Sequence, residues 1–359
     1  MERKLETYIR YLSSLVLIPI AILYYFIFLL SKKIFVKHQK RFENIKIVCI
    51  GNATLGGSGK TTLVARLISD LKSKGKNVAV VIRGYKRKYK DKHVIVLSSG
   101  DNLTSSYVYK VGDEAMMLFD KFKVPIGVSS NRVKSIKELF NFRPEIVISD
   151  DGYQNFKFYK DLNILVINLH DFLYKEKMFL FPLGNLREPI SSALNRADYV
   201  VLNHVRYVPY EVLMKVINLI KKIRGEVKLI LAYYKIRNFV SLIHKREFKC
   251  DEFLMLFPNI SIACGIGNPT IFLKTLESEG FTVKYRFSYP DHYWFKLKDV
   301  KRWCNISNIP VVVTYKDAVR LLPLIDHLET GYVEKLYYCD ITIEFDQGEE
   351  LWQELINTL

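Results

Sequence analysis

An uncharged apolar stretch, residues 11–31, stands near the start of the chain, and after it short β-branched runs alternate with segments of helical periodicity. The β-branched runs fall at Ile45, Ile47, Val48 and Ile50, then at 77–82, 93–98, 124–128, 145–149, 162–168 and 198–202. Between them Leu63, Val64, Leu67, Ile68 and Leu71 recur at helical spacing, as do apolar positions in 113–121 and 132–141. Buried strands separated by amphipathic helices predict an α/β fold, a parallel sheet with helices on both faces. The alternation weakens over 227–257, where Val227–Tyr234 and Phe239–Ile243 read as extended pieces with a break at Lys235–Asn238. It resumes with strands expected at 259–264, 281–287, 310–314 and 335–344 and helices at 270–278 and 297–305. The expected organisation is therefore an apolar helix in 1–40, a first α/β domain in 41–226, a linker in 227–257 and a smaller α/β domain in 258–359.

The apolar stretch is long enough, at about 1.5 Å per helical residue, to match the hydrocarbon core of a bilayer. It lacks the small-residue cleavage site of a secretory signal. Lys32, Lys33, Lys37, Lys40 and Arg41 follow it, Arg3, Lys4 and Arg10 precede it, and Pro19 interrupts it. The stretch reads as a membrane attachment, spanning or interfacial, with the rest of the chain on the cytoplasmic side.

The first strand runs into a glycine-rich turn, Gly51-Asn52-Ala53-Thr54-Leu55-Gly56-Gly57-Ser58-Gly59-Lys60-Thr61, and then into a helix. Strand, Gly-rich loop, Lys-Thr and helix make up a P-loop. Gly56, Gly57 and Gly59 let main-chain N–H groups approach a phosphate, and the positive end of the helix favours the anion. Residues Thr54–Thr61 are thus the expected ATP cradle. Lys60 supplies charge to the β/γ oxygens, and Thr61 offers a hydroxyl to Mg²⁺. Thr54 stands where the general pattern has glycine.

Composition adds a charge and a compartment. Lys and Arg number 54 against 37 Asp and Glu, net +17, which suits anionic partners such as acidic headgroups or phosphorylated substrates. No nucleic-acid-binding module accompanies that charge, so nucleic acid is not expected as a partner. The five cysteines, Cys49, Cys250, Cys264, Cys304 and Cys339, are scattered and have no CxxC spacing. That suits a reducing cytosol without disulfides or a zinc site.

A P-loop enzyme needs a carboxylate at the carboxyl edge of a neighbouring strand, beside the metal and phosphates. The run Ile146–Ser149 followed by Asp150-Asp151-Gly152 fits. Asp113-Glu114 opens a helical pattern and by itself reads as ordinary N-terminal capping. Asp291-His292 by itself reads as a surface loop. Phosphoryl transfer to a hydroxyl needs a base for its proton and cations for the developing charge. Arg83, Arg132 and Arg187 are the cation candidates, although Arg187-Glu188 reads equally as a structural ion pair.

In order along nearly the whole chain, these pieces resemble the tetraacyldisaccharide 4′-kinase family. The resemblance rests on the apolar N-terminal helix, Gly51-Asn52, Gly56–Thr61 with non-glycine Thr54, Arg83-Gly84-Tyr85, Gly112-Asp113-Glu114 and Asp150-Asp151-Gly152-Tyr153-Gln154. It continues through Leu186-Arg187-Glu188-Pro189, Gly265-Ile266-Gly267-Asn268-Pro269, Pro290-Asp291-His292 and Lys316-Asp317-Ala318. It implies ATP-dependent phosphorylation of the 4′-hydroxyl of a tetraacylated disaccharide 1-phosphate at the inner membrane, giving lipid IVA, and two α/β/α domains joined by a β-linker. It further implies Asp113 as catalytic base with His292 as its partner, and Glu114 and Asp150 in the Mg²⁺ shell beside Thr61. Arg83, Tyr85, Arg132, Asp151, Arg187 and Glu188 would line the nucleotide or substrate side. Asn155 and Asn185 depart from the family, which has His and Pro there, and Asn155 puts any role of that histidine in doubt. The alternative is a membrane-bound P-loop NTPase switch or metallochaperone that hydrolyses nucleotide without phosphorylating a substrate.

Overall fold

The computed structural model describes residues 2–89, 93–101 and 103–359, with the side chains of 2–15 and of 175 left aside. Arg3, Lys4 and Arg10 therefore lie outside the described side chains. In chain order the strands are β1 (Lys46–Gly51), β2 (Val78–Ile82), β3 (Ile95–Leu97), β4 (Ile126–Val128), β5 (Ile146–Asp150), β6 (Leu162–Asn168) and β7 (Tyr199–Asn203). They continue as β8 (Lys228–Ser241), β9 (Glu247–Lys249), β10 (Asn259–Cys264), β11 (Thr282–Ser288), β12 (Val311–Thr314) and β13 (Leu336–Gln347). Two compact units result. The first holds Met1–Lys60, Asp151–Ala232 and Asp346–Leu355; the second holds Thr61–Asp150, Tyr233–Phe345 and Ile356–Leu359.

In the first unit β1, β6, β7 and the start of β8 are parallel neighbours, in register Ile50↔Ile164, Leu165↔Val200 and Val200↔Leu229. Val48, Cys49, Ile50, Ile164, Leu165, Val200 and Val201 are fully buried or nearly so. Continuous apolar runs of this kind suit a parallel strand covered on both faces. The apolar N-terminal segment is one helix, Glu2–Lys37, and Pro19 lies within it without ending it. Val16–Lys37 is long and apolar enough to cross a membrane. Three of its side chains at i, i+4 spacing face the unit: the Tyr24 hydroxyl donates to the Arg187 carbonyl at 2.8 Å, Phe28 packs edge-on against Phe156, and Lys32 donates to Ser192 Oγ at 3.2 Å.

In the second unit β5, β2 and β4 are parallel neighbours and β3 adds an antiparallel edge. A further parallel set, β11-β10-β12-β13, follows the later part of the chain, with β9 pairing antiparallel to β8. The expected mainly parallel α/β architecture is thus present. One element differs. The expected break at Lys235–Asn238 is the middle of β8, where Lys235 and Arg237 point to solvent and Ile236 is buried. Ile236 joins Phe239, Phe248 and Phe253 in an apolar cluster, so alternate polar residues mark an exposed strand face there, not a loop. Helices at Tyr210–Arg224, Tyr315–Ile325 and Glu349–Thr358 complete the fold.

Candidate active site

The glycine-rich turn leaves β1 at Gly51, where a Cβ would come within 2.5 Å of the Tyr153 Cβ. The close approach of these two segments requires glycine. Gly56 and Gly59 adopt φ of 102° and 84°, conformations disfavoured for side chains, and nothing crowds the space above Gly56. The turn is tied down on one side by an antiparallel bridge between Thr54 and Leu186, with Leu55 N–H on the Asn185 carbonyl at 2.7 Å and Arg187 N–H on the Ala53 carbonyl at 2.7 Å. On another side the Asn203 amide donates to the Ser58 carbonyl at 3.1 Å. The Thr54 hydroxyl is buried and accepts from Asn52 at 3.3 Å, so the non-glycine residue is part of the loop's polar anchoring.

Lys60 begins the helix Lys60–Ser73. Its ammonium donates to Asn52 Oδ1 at 2.9 Å and lies 3.3 Å from Asp151 Oδ1. Arg187 grips both oxygens of the same Asp151 carboxylate, at 2.9 and 3.1 Å. Two cations thus share one acid at the base of the phosphate loop. Glu188 points elsewhere: it is fully buried, paired through both oxygens with Arg196 at 2.7 and 2.8 Å, and takes a hydrogen bond from Gln154 at 3.0 Å.

The second unit holds the other acidic residues. Gly112, at φ 90°, turns the chain into the helix Asp113–Phe122 and leaves Asp113 and Glu114 in its first turn. His292, in the left-handed region at φ 60°, aims its ring back at that turn, with Nδ1 2.8 Å from Asp113 Oδ2 and 3.0 Å from Oδ1. Arg320 Nε lies 3.3 Å from Oδ2 on the same carboxylate. Burial pushes the Asp113 carboxyl up, but the His292 hydrogen bond and the Arg320 charge more than reverse that, and it ends well below the carboxylate range. Burial pushes His292 down; the hydrogen bond and charge of Asp113 outweigh it, and the imidazole ends above its ordinary value.

Glu114 faces the start of the P-loop helix. The Thr61 hydroxyl donates to Glu114 Oε1 at 3.1 Å, and Lys316 Nζ reaches the same oxygen at 2.6 Å. Burial raises the Glu114 carboxyl but Lys316 more than reverses that, so it ends lowered, while Lys316, opposed by its own burial, is raised by Glu114 and then Asp113. Asp150 ends β5 as a buried residue, and its carbonyl accepts from the buried Arg132 at 2.7 Å. Arg83 is exposed just beyond β2, and the half-exposed Tyr85 presents its ring edgewise to His292 at 5.7 Å between centroids.

These donors fit Mg²⁺. The hydroxyl of Thr61 and the carboxylate of Glu114 are neighbouring hard oxygens, as Mg²⁺ prefers. Among the described residues no group of three or more His, Cys, Asp or Glu forms a metal cage. A cation held by one or two carboxylates, water and nucleotide phosphates needs none.

Within the second unit, then, Asp113, His292, Glu114 and Thr61 are brought together; within the first, Lys60, Asp151 and Arg187. Two members of the constellation carried no role in the sequence reading: Lys316, quoted only as part of Lys316-Asp317-Ala318, and Arg320. Their four-residue spacing on the helix Tyr315–Ile325 was the available signal, since it puts two cations on one helical face.

The family model described as tetraacyldisaccharide-1-P 4′-kinase, LpxK, matches residues 13–359. A tetraacyldisaccharide 4′-kinase of Francisella tularensis subsp. novicida is 32% identical over 316 residues, covering 86% of this chain and 90% of that one. Its counterpart in Legionella pneumophila is 30% identical over 343 residues, covering 94% and 91%. Among solved structures, LpxK from Aquifex aeolicus in complex with ATP superposes with a TM-score of 0.69 at 26% identity, covering 96% of this chain and 98% of that one. The chain belongs to the tetraacyldisaccharide-1-P 4′-kinase family.

Proposed function

We propose that this chain transfers the γ-phosphoryl group of ATP to the 4′-hydroxyl of a tetraacyldisaccharide 1-phosphate. The observation that carries the reading, beside family membership, is the Asp113–His292 pair, with Asp113 next in the chain to Glu114, itself hydrogen-bonded to the P-loop Thr61. A kinase acting on an alcohol needs a proton acceptor close to its metal-binding oxygens, and this pair would supply one.

Main-chain N–H groups of Thr54–Gly59 and the ammonium of Lys60 hold the phosphates. Thr61, Glu114 and Asp150 would hold Mg²⁺, which when bound would neutralise charge on the phosphate oxygens. Asp113 accepts the Nδ1–H of His292 and so leaves Nε2 as the nitrogen that takes the proton from the 4′-hydroxyl. The bond from the γ-phosphorus to the bridging β–γ oxygen breaks as the 4′-oxygen–phosphorus bond forms, and ADP leaves with that oxygen. Arg83, Arg132 and Arg187 are the cations available for the charge that develops, with Tyr85 and Asp151 on the substrate or phosphate side. Glu188 acts through Arg196 and Gln154, which it holds, as support for the segment carrying Arg187.

The apolar helix attaches the enzyme to the anionic cytoplasmic face of the inner membrane, where its lipid substrate resides. Its contacts at Tyr24, Phe28 and Lys32 favour an interfacial position, with one face on protein and the other in lipid.

Radiolabelled ATP and tetraacyldisaccharide 1-phosphate, incubated with the purified protein in mixed micelles, test the reading. A labelled bisphosphorylated lipid is expected. Release of labelled phosphate without lipid labelling would replace the kinase by the hydrolysing switch.

A further inference from the structure

Arg320 is a buried arginine, about 1% exposed at its side chain, and each of its nitrogens has work. Nε faces Asp113 Oδ2 at 3.3 Å and the Lys316 carbonyl at 3.3 Å. Nη1 donates to the Tyr293 carbonyl at 2.8 Å, and Nη2 donates to the Gly265 carbonyl at 2.9 Å and to Asp317. The Gly265 carbonyl also accepts the main-chain N–H of His292 at 2.9 Å, and Tyr293 is the next residue in the chain. The guanidinium therefore touches the Asp113 carboxylate on one edge and both ends of the His292 turn on the other. Asp317 in turn receives the Gly265 N–H at 2.9 Å and the Thr314 hydroxyl at 2.6 Å, which fixes the helix end from which Arg320 projects. A Cβ at Gly265 would lie 3.3 Å from Arg320 Nη1, so the turn is fitted to the guanidinium.

We propose that Arg320 is the positioning residue of the Asp113–His292 pair, holding carboxylate and imidazole in one geometry through a single planar fork. The proposal rests on the reading of that pair as the proton acceptor. A structural role alone, neutralising Asp317, would need only a positive charge. Simultaneous donation along separate directions to Asp113, Gly265 and Tyr293 needs a guanidinium, which an ammonium cannot replace. His292 sits in a backbone region unfavourable to side chains, so its ring depends on such external support.

The test uses the full chain in mixed micelles: wild type, Arg320→Lys, and Arg320→Ala with and without methylguanidinium. Turnover, the KM for ATP and the ¹H–¹⁵N signal of the His292 Nδ1–H are measured, the last assigned with His292→Gln. Arg320→Lys is expected to remain folded, to keep the KM for ATP, to lose roughly 10²-fold in kcat and to lose the hydrogen-bonded Nδ1–H signal. Methylguanidinium is expected to restore both signal and turnover to Arg320→Ala. Wild-type kcat with an unchanged His292 signal in Arg320→Lys would overturn the proposal, as would turnover losses that merely track the unfolded fraction. If the wild type labels no lipid, the function is wrong, and the His292 signal still decides the role of Arg320.

Discussion

His292 Nδ1 and Asp113 Oδ2 are 2.8 Å apart, although the two residues stand 179 positions apart in the chain. The contact sets which nitrogen can act. With Nδ1 committed to the carboxylate, Nε2 is the nitrogen that the proposed mechanism assigns to the substrate hydroxyl, and it can accept a proton only in the neutral imidazole.

That assignment predicts the pH dependence of turnover. Asp113 raises the His292 pKa above its ordinary 6.5, so the neutral base becomes scarce as pH falls through that raised value. The acid limb of kcat is expected above pH 6.5, with full activity only on its alkaline side. If Asp113 alone took the proton, its depressed pKa would leave the profile flat from pH 5 to 8, and a pH–rate series distinguishes the two. Asp113→Ala is expected to lower kcat by about 10²–10⁴-fold without unfolding the protein.

Lys60 sits between Asn52 and Asp151, and its loss removes the point charge that the proposed function assigns to the phosphates. Lys60→Ala is expected to lower kcat by orders of magnitude and to leave the circular dichroism spectrum and melting curve close to wild type. Asn52→Ala, which frees the ammonium from its 2.9 Å partner, is expected to cost much less, about tenfold in kcat/KM. Equal losses in the two variants would show that the loop's anchoring, and not the charge, is what Lys60 supplies.

The strand, turn and helix of the P-loop were legible in the sequence, because Lys46–Gly51, the glycines Gly56 and Gly59, and Lys60–Ser73 follow one another in a short stretch. Strand β2 was equally plain, Val78–Ile82 being a continuous apolar run. The centre of β8 was not, since Lys235 and Arg237 have the composition of a turn and only the burial of Ile236 shows the alternation. Non-local pairs were legible only in part. Nothing in the order of residues connects Arg320 to Asp113, or Arg196 to Glu188; folding brings them together, and a buried ion pair has no periodic signature.

The Glu188–Arg196 pair predicts a stability effect distinct from catalysis. Both Glu188 oxygens are engaged and the carboxylate is fully buried. Arg196→Met leaves that charge unpaired and is expected to cost about 3–5 kcal/mol, read as a lowered urea midpoint. The double variant Glu188→Gln with Arg196→Met should recover part of the loss. Additive effects in that cycle would mean the two side chains do not interact.

His204 gives the fold its own acid sensitivity. Burial, and then the neighbouring charge of His170, lowers its pKa to about 3, against 6.5 for an unfolded histidine. Below pH 6.5 the unfolded chain therefore binds a proton that the folded chain refuses. The stabilisation is complete above pH 6.5 and declines by about 1.4 kcal/mol for each pH unit as pH falls toward 3. His204 is left-handed at φ 69°, so Asn, which tolerates that conformation, is the appropriate replacement. His204→Asn is expected to flatten urea-measured stability between pH 6.5 and 4.5, and an undiminished slope would assign the acid sensitivity to other groups.

The N-terminal helix has two faces with different expected consequences. Tyr24, Phe28 and Lys32 hold to Arg187, Phe156 and Ser192, whereas Ile22, Phe26 and Leu30 leave 52, 64 and 60% of their surface exposed. Each fully buried apolar side chain of that size contributes about 1.5–3 kcal/mol. On the proposed interfacial placement, Phe26→Glu with Leu30→Glu is expected to shift the protein from vesicle-bound to soluble in a sedimentation assay, at an unchanged melting temperature. Phe28→Ala works in the opposite sense: it leaves vesicle binding intact and destabilises the fold by up to about 3–5 kcal/mol. An interfacial helix also keeps its N-terminus on the cytoplasmic side, so a tag there is cleaved by protease added to inside-out vesicles. Protection of the tag would mean that the helix crosses the bilayer, and that its contacts along Tyr24–Lys32 give way when it inserts.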